Sequence, residues 1–274
     1  MLWRAGKYNF ELDKPIIVGI LNITPDSFSD GNQHFEHEQA YAHANRMLDE
    51  GAAIIDVGGE STRPGSDEVS ESEELARVLP VIEQLVADGV VISIDTRHAA
   101  VAKRCVEAGA AIINDISGFR DAEMRDLAAN SDVGCVVMHM LGEPKNMQND
   151  PHYDDVVAEV SDYLTHQADL LVATSVAPER ICIDPGPGFG KTFDHNLALL
   201  KATHQLAALG YPLMAAYSRK GFIGNMTAVR SAAERVTASA LVAAWAANQG
   251  ARVLRVHDVK ETAQALAVFN YLSD

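Results

Sequence analysis

Polar side chains recur at one particular place along this chain, the ends of short apolar runs. Asn22, Asp56, Asp95, Asn114, His139 and Asp184 each close such a run, as do Ser218 with Lys220 and Arg255 with His257. A carboxylate accepts hydrogen bonds and takes two donors at once, while an amide both donates and accepts. Asp95, Asn114 and Asp184 therefore suit an amidine-like edge of N–H donors beside ring acceptors. Asp95, followed by Thr96, also fits a helix cap, but three such residues at one mouth favour a ligand. Lys220 follows Arg219; its ammonium suits a ring carbonyl, a solvated surface position or an aldolase-type Schiff base. Arg255 offers a planar fork and His257 an imidazole, a pair suited to diphosphate, with a salt bridge to an acidic loop as the alternative. Asn22 is a neutral oxygen suited to Mg²⁺ held mainly by waters and diphosphate oxygens. No Asp/Glu/His cluster with the look of an all-protein metal cage is visible, so the ion is expected to arrive with a substrate.

Such residues act together only if the elements before them converge. Strands are expected at Ile16–Leu21, Ala53–Val57, Val90–Ile94, Ala111–Ile113, Gly134–Met138, Arg180–Ile183, Pro212–Ala215 and Arg252–Val256. They are continuous apolar runs, as in strands of a parallel sheet buried on both faces. Helical patterns fill 37–50, 70–87, 98–108, 121–130, 153–175, 194–208, 231–248 and 258–271, several stopped by a glycine such as Gly51, Gly89 or Gly250. Eight strand–helix units at roughly 34 residues each fit a (β/α)₈ barrel. A doubly wound open sheet also alternates strands and helices, but it carries ligand residues only beside its switch point. Polar residues at nearly every strand end favour the barrel. No linker divides residues 1–274, so one domain is expected, with residues 1–15, including Trp3 and Phe10, covering the barrel bottom.

The chain has 274 residues and a formal net charge of −16, which argues against nonspecific nucleic-acid binding. Cys105, Cys135 and Cys182 are widely spaced in apolar runs and read as buried, reduced thiols. The first residues lack the apolar stretch of a signal peptide, and no apolar run reaches the roughly 18 residues of a membrane span. A cytoplasmic protein is expected. The Ala-rich stretch Ala232–Ala247 is apolar around much of its circumference and should pack on two sides.

Seven segments together resemble one family. They are Gly19–Asp30 (GILNITPDSFSD), Asp56–Gly65 (DVGGESTRPG), Ser93–Thr96 (SIDT), Asn114–Gly118 (NDISG), Asp184–Lys191 (DPGPGFGK), Ser218–Lys220 (SRK) and Arg255–Asp258 (RVHD). In this order they resemble the dihydropteroate synthases, pterin-binding (β/α)₈ barrels, over nearly the whole chain. The resemblance implies condensation of 6-hydroxymethyl-7,8-dihydropterin diphosphate with p-aminobenzoate, with loss of diphosphate. It implies a pterin site at Asp95, Asn114, Asp184, Lys220, Met138 and Phe189, and an aminobenzoate site at Thr62, Arg63, Pro64, Phe28 and Ser218. It further implies a diphosphate site at Asn22, Thr62, Arg63, Arg255 and His257, with Mg²⁺ on Asn22. Asp95, Arg63, Lys220 and Arg255 are the expected catalytic residues, and the C-terminal helices the expected homodimer interface. Ala216, Tyr217 and Gly221 depart from the family pattern near the aminobenzoate pocket. The alternatives are a related pterin-barrel methyltransferase, which needs no diphosphate clamp, a Lys220 aldolase, and a pterin-binding module without activity.

Overall fold

The computed structural model describes residues 1–23, 33–61 and 69–273. The chain opens with an antiparallel hairpin, β1 (Leu2–Ala5) and β2 (Tyr8–Glu11). Eight parallel strands follow: β3 (Ile16–Asn22), β4 (Ile54–Gly58), β5 (Ile92–Asp95), β6 (Ile112–Asp115), β7 (Gly134–Met138), β8 (Ile181–Asp184), β9 (Met214–Ala215) and β10 (Val253–Val256). Their order is β8-β7-β6-β5-β4-β3-β10-β9, and a parallel bridge from Ile183 to Leu213 joins the two ends. This is the (β/α)₈ barrel expected from the sequence.

Alternation along the strands explains why they read as unbroken apolar runs. One parity (Leu21, Ile55, Val57, Ile94, Ile113, Val137, Ile183, Leu254) joins the core shared with the helices. The other (Val18, Ile54, Ile112, Val136, Cys182, Met214, Val253) fills the barrel interior at its lower end. Both faces are dry, so neither parity can be polar until the strands reach the upper mouth. The inward parity then changes character, continuing to Asn22, Asp56, Asp95, Asn114, Met138, Asp184 and Arg255. Registered pairing sets Asn22, Gly58, Asp95 and Asn114 side by side across four adjacent strands.

The hairpin closes the bottom, as expected. Trp3 is fully buried against this inner cluster, and its indole N–H donates to the Arg180 carbonyl at 3.1 Å. The three cysteines are free and buried; burial pushes the Cys105 and Cys135 thiols up to about 12.

The helices are α1 (Gln33–Asp49), α2 (Glu71–Ala87), α3 (Ala99–Glu107), α4 (Ala122–Ala129), α5 (Val156–Ala173), α6 (Phe193–Lys201), α7 (Thr203–Ala207), α8 (Gly221–Thr227), α9 (Val236–Asn248) and α10 (Val259–Ser273). Four details differ from expectation. The pattern at 194–208 breaks into α6 and α7 at Ala202, and 231–248 begins as a 3₁₀ turn at Ala232–Glu234. The strand expected at Pro212–Ala215 is reduced to two residues. The extra helix α8 directly follows Lys220, in a region where apolar periodicity is too short to register.

Trp3→Ala should cost about 3–5 kcal/mol, the usual range for truncating a buried aromatic. Urea unfolding at fixed pH measures it; a loss below about 1 kcal/mol would show that the hairpin does not share the barrel core.

Candidate active site

The strand ends surround a cleft of about 710 Å³ at the upper mouth. Ten of the residues singled out in the sequence line it. Asn22, Asp95, Asn114, Met138 and Asp184 come from β3 and β5 to β8; Phe189, Ser218 and Lys220 come from the loops after β8 and β9; Arg255 and His257 come from β10 and its end. Phe28, Thr62, Arg63 and Pro64 lie outside the described residues.

A charged cluster organises the floor. Arg255 enters the barrel level with Val18 of β3, deeper than Asp56 and Asp95. Its guanidinium reaches upward, Nε donating to Asp56 Oδ2 at 2.6 Å and an Nη to Asp95 Oδ2 at 2.5 Å. Asn114 Nδ2 also donates to Asp56 Oδ2, at 3.2 Å. Arg255 is expected from the sequence to hold diphosphate, with a salt bridge to an acidic loop as the alternative; here its fork joins two strand-end carboxylates. Burial works against the guanidinium charge, but the Asp56 and Asp95 carboxylates outweigh it and hold its pKa above the usual range. Asp95 responds in the opposite sense. Burial pushes it up to about 7 despite Arg255, with the Asp56 charge adding to the rise.

The second oxygens of these groups are open. Asp56 Oδ1, Asp95 Oδ1 and Asn114 Oδ1 are buried and have no hydrogen-bond partner within the protein. A buried unpaired acceptor costs about 1–3 kcal/mol, so three together at a cleft floor mark a surface built for a donor-rich ligand edge. Asp184, 2% exposed, adds a third carboxyl; burial raises its pKa, and the Gly186 amide opposes this by donating to Oδ1 at 2.7 Å.

The loop after β8 forms one wall. Gly186 has φ +61°, and a Cβ there would lie 2.0 Å from the His139 carbonyl oxygen, so only glycine fits this turn. Lys191 ties the loop from beneath, donating to the carbonyls of Gly186 at 3.0 Å and Phe189 at 2.9 Å, with Nζ 2.9 Å from His139 Nδ1. Burial pulls His139 down to about 3 and Lys191 down to about 7, so the neutral ring accepts from the lysine. Phe189 is thereby presented to the cleft with Lys220 Nζ 4.4 Å from its ring centre. Burial, reinforced by Arg255, pulls Lys220 down to about 8.

The neighbouring wall, after β9, rests on Arg219. Its backbone is left-handed at φ +59°, and its guanidinium forks onto Asp258 at 2.9 and 2.5 Å. The Arg219 N–H donates to the Ser239 hydroxyl at 2.9 Å, and an Arg235 Nη donates to its carbonyl at 2.9 Å. Lys220 thus follows a residue fixed at its backbone N–H, its carbonyl and its guanidinium. Ser218 and His257 meet, with Oγ 3.1 Å from Nδ1. Of the three departures from the family pattern, Ala216 and Gly221 line the cleft, whereas Tyr217 turns out of it and packs edge-on against Phe222.

Sequence reasoning assigned no role to Asp56, Lys191, or the Arg219–Asp258 fork. It also missed a cluster beside the cleft, in which Glu60, Glu74 and His98 come together.

A family model described as "Pterin binding enzyme" matches residues 18–257. The chain is 47% identical to the dihydropteroate synthase of Neisseria meningitidis serogroup C, over 99% of this chain and 97% of that one. It is 45% identical to that of Escherichia coli K12, over 95% and 92%. The Yersinia pestis dihydropteroate synthase, solved with a sulfonamide drug, superposes with a TM-score of 0.93 at 43% identity, covering 100% of this chain and 99% of that one. The Burkholderia cenocepacia enzyme, complexed with 7,8-dihydropteroate, gives 0.91 at 43%, covering 99% and 96%. The chain belongs to the dihydropteroate synthase family of pterin-binding enzymes.

For this family member, the two-carboxylate grip of Arg255 is a testable feature of the free protein. Arg255→Met should destabilise the fold by about 3–5 kcal/mol at pH 8, because two buried carboxylates lose their counter-charge. The loss should shrink at pH 6, where Asp95, already raised to about 7, takes up a proton and relieves the repulsion. Urea unfolding at both pH values reads this; a pH-independent loss below about 1 kcal/mol is what an exposed ion pair would give.

Proposed function

We propose that this cleft carries out the dihydropteroate synthase reaction of folate biosynthesis. The observation that carries the reading is the set of unpaired buried acceptors, Asp56 Oδ1, Asp95 Oδ1 and Asn114 Oδ1, with Asp184 on the adjacent wall. An aminopyrimidine edge presents N–H donors to carboxylates and a ring nitrogen to an amide. The Lys220 ammonium complements the ring carbonyl, and Phe189 supplies a flat surface for the bicycle.

In the reaction, the bond between the pterin methylene and the diphosphate oxygen breaks, and diphosphate leaves with the electron pair. The arylamine nitrogen then donates its lone pair to the methylene carbon and releases a proton. Positive charge develops on the pterin as the leaving group departs, and the buried negative charge of Asp95 and Asp56 stabilises it. One well-placed group of this kind in a dry site is worth about 2.7–4 kcal/mol. Arg255 keeps the two carboxylates in place, and His257 with Ser218 stands at the edge where the diphosphate leaves. Asn22 fits Mg²⁺ as a single neutral oxygen at the cleft wall, its Oδ1 beside Gly58. Mg²⁺ there would neutralise charge on diphosphate, which supplies most of its ligands. Thr62, Arg63, Pro64, Phe28 and Ser218 receive p-aminobenzoate, and a sulfonamide of similar shape competes for the same place.

The reading extends to assembly and compartment. Leu241 of α9 and Val268, Tyr271 and Leu272 of α10 are exposed apolar side chains on two helices packed together, which supports a homodimer through the C-terminal helices. Among the described residues no helix is long and apolar enough to cross a membrane, in keeping with a cytoplasmic enzyme.

The direct test is diphosphate release from the dihydropterin diphosphate, with and without p-aminobenzoate. Release coupled to dihydropteroate formation is expected; a covalent borohydride-trapped adduct on Lys220 would indicate an aldolase instead. Asp184→Asn should weaken dihydropterin binding roughly 10–150-fold, the equivalent of one buried charged hydrogen bond, while the fold survives. Unchanged affinity in calorimetry would remove Asp184 from the pocket.

The Asp95 carboxyl also sets a pH dependence. Its catalytic form is the anion, so kcat/KM should fall with one proton as pH drops below about 7. A profile flat from pH 5.5 to 8 would mean that the charge on Asp95 does not contribute.

A further inference from the structure

Outside the pterin cleft, one cluster has the arrangement of a metal site. It involves three elements: Glu60 just after β4, Glu74 on α2, and His98 at the start of α3. Glu74 is 0% exposed, and neither carboxylate oxygen has a hydrogen-bond partner at bonding distance, although the Thr96 side chain lies nearby. His98 Nε2 is likewise buried without a hydrogen-bond partner. The ring nitrogen faces both acids, 3.8 Å from Glu60 Oε2 and 3.9 Å from Glu74 Oε2, and the three ligand atoms all lie within 4.8 Å of one another. Buried polar atoms that face each other without bonding need a shared partner.

We propose that Glu60, Glu74 and His98 bind a divalent transition-metal ion of the zinc class, at a site separate from the Mg²⁺ position at Asn22. Zinc–nitrogen and zinc–oxygen bonds of about 2.0–2.2 Å put tetrahedral ligands about 3.3–3.5 Å apart, a few tenths of an ångström inside the two distances from His98 to the carboxylates. Two carboxylates and an imidazole suit zinc, cobalt or manganese; Mg²⁺ and Ca²⁺ prefer six or more oxygens without nitrogen.

The surroundings fit this assignment. His98 Nδ1 lies 3.7 Å from Glu71 Oε1, so its other ring nitrogen faces a carboxylate, as metal-bound histidines generally require. Glu60 is oriented by the Val69 N–H, which donates to Oε1 at 3.3 Å, and by Arg97, which donates to both oxygens, Nε to Oε2 at 3.2 Å, so that Oε2 lies between the arginine and His98. Gly59 has no room for a side chain, because a Cβ would meet Val78 Cγ1 at 2.8 Å and Glu74 Cγ at 3.0 Å. That close approach brings Glu60 beside Glu74. Glu60 also borders the cleft, so the ion would tie that edge of it to α2 and α3.

The test is titration of chelator-stripped full-length protein with Zn²⁺ by calorimetry, and with Co²⁺ by visible spectroscopy. One equivalent is expected to bind with Kd below about 1 μM, to raise Tm, and with Co²⁺ to give the intense absorption of a low-coordinate ion. His98→Gln and Glu74→Gln should each abolish all three signals, and Glu71→Gln should weaken binding about 10–100-fold. Asn22→Ala should leave them intact. His98→Gln should keep metal-free turnover unchanged, since His98 does not line the cleft, and none of the binding readouts depends on the reaction assigned to that cleft. No stoichiometric binding, or equal binding by His98→Gln, overturns the assignment.

Discussion

Arg255 sits on the last strand of the barrel and holds Asp56 and Asp95 from strands two and three of the parallel series. Two carboxylates this close inside a barrel repel strongly, since neither is screened by water. A guanidinium fork tolerates them because it gives each one a separate, directional hydrogen bond. It also crosses the seam where β10 meets β3, so the same contact that neutralises the floor ties the end of the chain to its beginning. The free oxygens of the pair and Asn114 Oδ1 have no partner within the protein, and Asp95 and Asn114 line the cleft. Their desolvation is a cost the folded protein carries until a donor-rich ligand arrives, which is typical of a site whose polar groups are set before binding.

The remaining walls are built by a common device, a buried polar side chain bonding the backbone of a bent loop. Asp115 accepts from the N–H groups of Ser117 and Phe119 after β6. Lys191 gathers the carbonyls of Gly186 and Phe189 after β8, and the Ser239 hydroxyl and the Arg235 guanidinium bond the Arg219 N–H and carbonyl in the turn after β9. Each loop contains residues at positive φ, among them Phe119, Gly186 and Arg219. Such backbone is retained where the surroundings over-determine it. The consequence is that Phe189 and Lys220 line the cleft from well-bonded turns, although neither lies on a strand.

Much of this was legible in the sequence. Strands buried on both faces leave unbroken apolar runs, and the change of the inward parity from Val18 and Ile54 to Asn22 and Asp56 shows where the mouth begins. The cleft residues were visible as polar strand ends. Asp56 was seen as one of them, yet a carboxylate flanked by Ile55 and Val57 signals a buried charge needing a counter-charge, and its partner Arg255 lies 199 residues away. No local spacing encodes such a pair. The Arg219–Asp258 fork and the Glu60–Glu74–His98 cluster were hidden for the same reason, since each is assembled from separate strand–helix units. The helix α8 and the shortness of β9 escaped because a seven-residue helix and a two-residue strand carry almost no periodic signal.

On the proposed function, Arg255 serves the pterin site by holding Asp95, and the sharpest measurement is a double-mutant cycle. Dihydropterin affinity would be determined by calorimetry at pH 8 for the parent, Asp95→Asn, Arg255→Met and the double variant. If the arginine acts through the carboxylate, the double variant binds no more weakly than the worse single one, with a coupling energy of about 0.5–3 kcal/mol. Strictly additive losses would show that the two residues contact the ligand independently, and would contradict the arrangement of the floor described above.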